Sequence, residues 1–271
     1  MVFGMSTACF FPNVYNEDAI DLMGKMGVTC VEVFFSCMAE YQKDYVNDLK
    51  RRAEFWGITV NSVHAFSLQF EPQLFSVHER ARLEALGIYR QVLEAGATLG
   101  ARSYVFHGPA NVKRARQLVL NYEYIAEKTQ PLADLAIQYG IRLSWENVHW
   151  CWYASPDFPQ KLQPLLSPNS LWFTFDLKQA VQSGFSPADY LQQAQGRLSN
   201  VHICDVRRDD KVGCVPVLPF HGNVNFHDIK AQLLKIGYNE SLILEVYSHN
   251  YQSLHELLEN FSQAKAFFCG V

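Results

Sequence analysis

The chain has 271 residues, of which 49% are hydrophobic and 14% aromatic, so it is long enough to bury a large core. Its 23 basic and 27 acidic residues give a net charge of −4, which disfavours a general polyanion-binding protein. The opening residues MVFGMSTACFF contain no basic stretch and no long apolar run, and the seven cysteines include no C-x-x-C pair, so we expect no signal peptide, no membrane segment and a cytoplasmic location.

Short runs of β-branched and aromatic residues alternate along the chain with longer amphipathic stretches. The predicted strands cover residues 2–9, 29–35, 58–66, 102–107, 141–147, 171–176, 199–205 and 241–247. The predicted helices cover residues 17–26, 43–56, 78–99, 112–139, 157–166, 187–195, 226–236 and 250–268. Several of these helices are followed by a glycine, the residue that most often ends a helix in the left-handed conformation, at Gly27, Gly57, Gly100, Gly140 and Gly237.

Strict alternation of strand and helix predicts a parallel sheet. The sequence contains neither a G-x-G-x-x-G nor a G-x-x-x-x-G-K-[ST] motif, so the usual reason to choose an open nucleotide-binding sheet is missing. With this number of strands, closure is favoured over an open sheet. We therefore predict an α/β fold, a single (β/α)8 TIM barrel that occupies residues 1–271 as one domain.

Ionisable side chains stand at or near the C-terminal ends of the predicted strands, which is the catalytic face of such a barrel. They are Glu32, His64, His107, Glu146, Asp176, His202 with Asp205, and Glu245. An isolated histidine at a strand end is more often a hydrogen-bonded core residue than a ligand. Several carboxylates on one rim, however, repel one another unless a cation neutralises them. Three carboxylates with one imidazole suit a hard divalent ion, so we expect Mn²⁺ first, with Mg²⁺, Co²⁺ or Zn²⁺ as alternatives.

Seven motifs in the same order carry a resemblance to a known family. They are SVHAF, VFHGP, LSWENVHW, FTFDLKQA, NVHICDVRRDD, PFHGNVNF and LILEVY. Through nearly its whole length the chain resembles the xylose isomerase-like TIM barrel superfamily, the group that includes sugar phosphate isomerases, epimerases and endonuclease IV-like enzymes. The order and spacing of the motifs are specific for the superfamily and much less so for a substrate.

The resemblance implies one divalent metal ion held by four side chains, Glu146, Asp176, His202 and Glu245. It also implies that the two glutamates are catalytic, because in the ketose 3-epimerases the matching residues move protons on opposite faces of the substrate. A metal-stabilised enediolate intermediate accounts for that chemistry.

Further residues are expected to contact the substrate. Arg208 matches, less securely, an arginine that holds substrate hydroxyls in those epimerases. His64 and His107 either line the pocket or hold a second metal, as the equivalent histidines do in endonuclease IV. Gln179 stands where the relatives carry a histidine, so it could donate a hydrogen bond to a sugar oxygen but could not act as a base. Trp150 is one of the rim aromatics that could stack on sugar C–H surfaces.

A second departure lies in the loop that reads FHGNVN, where His221 and Asn225 replace acidic residues of the family. Together with Gln179, this loop makes the third metal of endonuclease IV a poor fit. Residues 67–77 form a plausible lid. Lys113, Arg114 and Arg207 are candidates for binding a phosphate group, although they could equally be solvated surface charges, so a free sugar is favoured over a sugar phosphate.

These observations predict a metal-dependent isomerase or epimerase of a sugar, ketose or related polyol. An inosose dehydratase-like lyase, an endonuclease IV-like phosphodiesterase and a non-catalytic sugar-binding protein are the alternatives. The expected partner is a small carbohydrate, with no nucleic acid and no membrane, and a homodimer or a homotetramer is left open.

Overall fold

The fold of the chain is a closed barrel of eight parallel strands surrounded by helices, as the sequence predicts. The computed structural model describes residues 1–111, 119–209, 211 and 213–270. Lys113 and Arg114, two of the candidate phosphate-binding residues, lie outside the described residues. Within the described part of the chain, no helix combines the length and the apolar character needed to cross a membrane.

The barrel strands and a separate two-stranded hairpin follow one another along the chain. They are β1 (Val2–Ser6), β2 (Cys30–Phe35), β3 (Thr59–Ala65), β4 (Ser103–Phe106), β5 (Arg142–Glu146), β6 (Leu171–Asp176), β7 (Leu198–Ile203), β8 (Asp205–Asp209), β9 (Gly213–Val217) and β10 (Ser241–Leu244). Around the barrel the order is β1-β10-β7-β6-β5-β4-β3-β2, and β8 pairs with β9 outside it. All the barrel strands therefore present their C-terminal ends on one face.

The helices connect successive barrel strands. They are α1 (Asn16–Lys25), α2 (Lys43–Phe55), α3 (Glu71–Leu74), α4 (Glu79–Leu99), α5 (Tyr122–Gln138), α6 (Phe158–Leu162), α7 (Leu177–Ser183), α8 (Pro187–Gln193), α9 (Phe226–Lys235) and α10 (Leu254–Cys269). The end of the long helix α4 is set by the glycine that follows it. Gly100 has φ of 78°, a conformation that glycine adopts without steric cost.

The barrel interior is polar just below its catalytic face. Ser144 lies 2.7 Å from the Thr174 hydroxyl and 2.6 Å from the Ser199 hydroxyl, and Asn200 donates to the Glu32 carboxylate at 2.9 Å. These groups are all buried, and hydrogen bonds among them offset the cost of removing them from water. A layer of hydrogen-bonded polar side chains therefore lies beneath the charged groups at the mouth of the barrel.

Three details differ from the predicted elements. The β8–β9 hairpin and α7 were not predicted, because each is short and follows directly on a barrel strand. The helix predicted over 112–139 begins, in its described part, only at Tyr122, because the Asn121 side chain caps it by accepting from the Tyr124 backbone N–H. The first strand ends at Ser6 rather than at residue 9, because Thr7–Phe10 form a short 3-10 helix.

Candidate metal centre

Four side chains from neighbouring strands converge at the mouth of the barrel. Glu146 ends β5, Asp176 ends β6, His202 lies near the end of β7, and Glu245 follows β10. Each offers one ligand atom, and these atoms all lie within 4.8 Å of one another. All four residues are buried, so the group is a compact cluster of three carboxylates and one imidazole within the protein.

The His202 imidazole lies at the centre of this four-residue cluster. Its Nδ1 atom is 3.1 Å from Glu146 Oε1, 3.4 Å from Glu245 Oε2 and 3.7 Å from Asp176 Oδ2. A single nitrogen therefore faces all three carboxylates. A cation held between them would contact one nitrogen and three oxygens, a donor set that suits several divalent metal ions.

Three oxygens of the cluster are buried without a hydrogen-bond partner among the described residues. They are Glu146 Oε2, Asp176 Oδ2 and Glu245 Oε1. The other oxygen of Asp176 is occupied, since it accepts from the Gln179 backbone N–H at 2.7 Å. Buried carboxylate oxygens without a donor are costly, and a bound cation removes that cost, so these residues fit a divalent metal ion.

The electrostatics of the cluster reflect its excess of negative charge. Burial alone would raise the pKa of Glu146 and Glu245, but neighbouring imidazoles lower both pKa values overall. Burial likewise lowers the pKa of His202, yet Glu32 and Glu245 raise it well above its usual value. The carboxylates thus favour a positive charge in their midst, which a divalent ion supplies better than an imidazolium does.

Two residues outside the cluster orient its members. His202 Nε2 lies 3.1 Å from Glu32 Oε2, so the carboxylate of Glu32 directs Nδ1 toward the cluster. Asn147 accepts from the Asp176 backbone N–H at 2.7 Å and donates to the Asp176 carbonyl at 2.9 Å. The sequence marks Glu32 only as an ionisable residue near a strand end, and Asn147 could have been found from its place in the WEN motif.

The predicted histidine pair lies beside the four-residue cluster. His64 Nε2 is 2.8 Å from His107 Nε2, and His107 Nε2 is 2.6 Å from Glu146 Oε2, although the second contact lacks hydrogen-bond geometry. On the other side of its ring, His107 Nδ1 lies 2.8 Å from the Ser67 hydroxyl. His64, His107 and Glu146 form a second group with the spacing of metal ligands, and Glu32, His64 and Glu245 form a third.

A buried lysine that the sequence analysis did not select also reaches the cluster. Lys178 Nζ donates to Glu245 Oε2 at 3.3 Å and lies 3.5 Å from Asp176 Oδ2. Its ammonium also faces the Tyr247 ring at 5.4 Å from the centroid. Burial alone would lower the pKa of Lys178, but Asp176 and Glu245 raise it well above its usual value, so the side chain stays charged.

Trp150 and Gln179 are two residues predicted to contact the substrate, and both lie at the rim of the barrel. Trp150 is half-buried, and its ring centroid lies 6.0 Å from that of His107 in an edge-on arrangement. The side-chain oxygen Oε1 of Gln179 lies 2.6 Å from His149 Nδ1 and accepts a hydrogen bond from the His149 backbone N–H at 3.2 Å. That oxygen is therefore engaged within the protein, which leaves the amide nitrogen as the group for a ligand.

Arg208 lies apart from these residues. It is exposed on β8, and it lines a pocket of about 380 Å³ with Asn223 and Asn225. The described residues that line this pocket include none of the four cluster members. Asp205 also has a separate task, since its carboxylate accepts from the backbone N–H groups of Val206, Gly222 and Val224. It holds the loop that leads to α9.

Residues 20–268 match the model of a known family, the xylose isomerase-like TIM barrel. The chain belongs to the xylose isomerase-like TIM barrel family. The match spans all the described strands except β1, including the four that carry the cluster. No curated protein matches the sequence.

Solved structures of other proteins superpose on nearly the whole chain. A D-psicose 3-epimerase from Clostridium cellulolyticum H10 has a TM-score of 0.76 and 18% identity over 99% of this chain and 98% of its own. An IOLI protein with a bound zinc atom has a TM-score of 0.80 and 18% identity over 99% and 98%. The 3-keto-D-glucoside 4-epimerase YcjR from E. coli has a TM-score of 0.76 and 15% identity over 98% and 99%. At these identities the likeness is one of fold.

Proposed function

We propose that the chain is a divalent-metal-dependent isomerase or epimerase of a sugar, ketose or related polyol, with Mn²⁺ as its ion. The observation that carries the proposal is the convergence of Glu146, Asp176, His202 and Glu245, whose ligand atoms lie within 4.8 Å of one another. Support also comes from the fold relatives, which include proteins named as a D-psicose 3-epimerase and a 3-keto-D-glucoside 4-epimerase.

Such reactions begin with removal of a proton from the carbon next to a carbonyl group. A divalent cation held by the four-residue cluster would stabilise the negative charge that develops on the two adjacent substrate oxygens. In the proposed assignment one of Glu146 and Glu245 would accept the proton as a carboxylate, and the other, once it has taken up a proton from solvent, would return that proton to the opposite face. The two glutamates flank His202, at 3.1 and 3.4 Å from its Nδ1.

The remaining candidates are assigned to substrate binding. His64, His107 and Trp150 lie on one side of the four-residue cluster and would contact the sugar hydroxyls and its apolar face. Gln179 would donate its amide N–H to a sugar oxygen, because its carbonyl is engaged by His149. Arg208 lies in the separate pocket, so its assignment requires that the hairpin bring it toward the substrate.

The test is solvent proton exchange at the substrate carbon. Ketoses, aldoses and inososes are incubated with the Mn²⁺-loaded protein in deuterated buffer, and deuterium uptake is read by mass. We expect uptake in at least one ketose or aldose. Replacement of the carboxylates, Glu146→Gln or Glu245→Gln, should lower that uptake by about a thousandfold or more, since each variant lacks one base.

The control is Glu123→Gln, which makes the same chemical change at an exposed position in the first turn of α5 and should exchange at the wild-type rate. Circular dichroism checks that the variants fold. A product lighter by one water would assign a lyase instead. Near-normal uptake by either Gln variant would remove that residue as a base, and no uptake by any sugar would contradict the proposed function.

A further inference from the structure

Lys178 is a buried residue beside the four-residue cluster to which the proposed chemistry assigns no role. It lies two positions after Asp176, at the start of α7, and its side chain is only 7% exposed. Lysine almost never becomes buried unless its charge is paired. Here the ammonium lies between two carboxylates, 3.3 Å from Glu245 Oε2 and 3.5 Å from Asp176 Oδ2. These are two of the four side chains assigned to the metal ion.

The position of the ammonium makes it a competitor of the ion. Asp176 Oδ2 and Glu245 Oε2 are also the oxygens that face His202 Nδ1, at 3.7 and 3.4 Å. A divalent cation held by the four-residue cluster would therefore share its ligand oxygens with a fixed positive charge. Like charges at such short range repel strongly in a buried site, where water screens them little.

We propose that Lys178 is a resident cation that sets the charge of the metal centre. This inference rests on the metal site of the proposed function. Lys178 holds Asp176 and Glu245 together before the ion binds, and it weakens the affinity of the centre for that ion. The ammonium adds one positive charge to the two that a divalent ion would bring to the carboxylates of the loaded centre.

The positive charge of the ammonium has a consequence for the reaction. As the substrate loses its proton, negative charge develops on its oxygens, and a buried ammonium beside them lowers the energy of that state more than that of the neutral ground state. A lysine at this position therefore lowers the affinity for the metal ion and stabilises an anionic intermediate. A purely structural role would not couple these two properties in opposite directions.

The experiment is a calorimetric titration of the metal-free protein with Mn²⁺, which requires no turnover. Lys178→Met removes the charge and keeps much of the side-chain length, and we expect it to bind Mn²⁺ about tenfold tighter or more. Lys178→Gln removes the charge but keeps a hydrogen-bond donor, so it should tighten binding as well and serves if the first variant does not fold. Lys178→Arg keeps the charge and should stay near the wild-type affinity.

Lys235→Met is the matched control, since it removes one positive charge at an exposed position at the end of α9 and should leave Mn²⁺ affinity unchanged. For any sugar that the wild type exchanges, Lys178→Met should exchange about a hundredfold more slowly despite its tighter ion. Equal or weaker Mn²⁺ binding by both uncharged variants would overturn the inference even if the sugar reaction is found. Tighter binding with no sugar exchanged by the wild type would uphold the lysine's effect on the ion and contradict the proposed function alone.

Discussion

Both ring nitrogens of His202 are held by carboxylates, and this makes the centre depend on a residue that is not one of its ligands. Nδ1 faces Glu146, and Nε2 faces Glu32 at 3.1 Å. Glu32 is itself fixed, because its carboxylate accepts from the hydroxyls of Ser6 at 3.3 Å and Ser62 at 2.7 Å. A carboxylate behind a metal-binding histidine fixes the ring orientation and makes the ligand more basic.

We therefore expect Glu32→Gln to weaken Mn²⁺ binding by roughly tenfold to a hundredfold while the barrel stays folded. The amide keeps the size of the carboxylate but removes its charge, so both the orientation and the basicity of His202 suffer. The measurement is a calorimetric Mn²⁺ titration. Ser6→Ala, which removes a hydrogen bond to Glu32 without touching His202, should change the affinity much less. Wild-type affinity in Glu32→Gln would show that Glu32 does not tune the site.

At the scale of elements, the segment that was expected to act as a lid is fastened to the barrel. Its short helix α3 begins at Glu71, a fully buried carboxylate that accepts from the backbone N–H groups of His107 at 2.9 Å and Gly108 at 2.8 Å. The Tyr104 hydroxyl donates to it as well. Ser67 adds its contact to His107. These contacts hold the start of α3 against the end of β4, beside His107.

Replacing the anchor, Glu71→Ala, should lower the free energy of unfolding by about 3 kcal/mol, because three buried donors lose their acceptor and a cavity remains. Urea denaturation followed by tryptophan fluorescence measures the change. Glu79→Ala at the exposed start of α4 is the matched control and should cost less than about 0.5 kcal/mol. If both variants unfold alike, the hydrogen bonds to Glu71 do not anchor the segment.

The elements also show which features could be predicted from the sequence. All eight barrel strands were predicted, because each is a short apolar run between amphipathic stretches, and the ionisable residues at their ends gave the position of the candidate site. The hairpin of β8 and β9 was not predicted, since the charged residues Arg207, Arg208 and Asp209 in β8 and Pro216 in β9 mask the strand pattern. Lys178 could not be predicted, because a lysine in a helix is usually solvated and only the packed structure turns this one inward.

For the whole molecule, the barrel mouth concentrates charge that the fold must compensate. Within the described residues, Glu32, Glu146, Asp176 and Glu245 are all at most 2% exposed. Lys178 and the nearby imidazoles offset part of this charge, but Asp176 Oδ2 and Glu245 Oε1 have no hydrogen-bond partner among the described residues. Without an ion, repulsion among these buried carboxylates therefore destabilises the folded state.

Divalent metal should therefore stabilise the entire barrel and not merely the mouth. A ligand that binds only the folded state adds about 2.7 kcal/mol at a concentration of 100 times its dissociation constant, which should raise the melting temperature by about 5 °C or more. Calorimetric melting after treatment with a chelator, and again with saturating Mn²⁺, measures the difference. Because His202 has a raised pKa and must lose its proton to bind the ion, this stabilisation should grow as the pH rises above the range in which an ordinary histidine loses its proton. Asp176→Asn, which removes one ligand charge at constant size, should abolish most of the shift; an equal shift in that variant would mean that Mn²⁺ binds elsewhere.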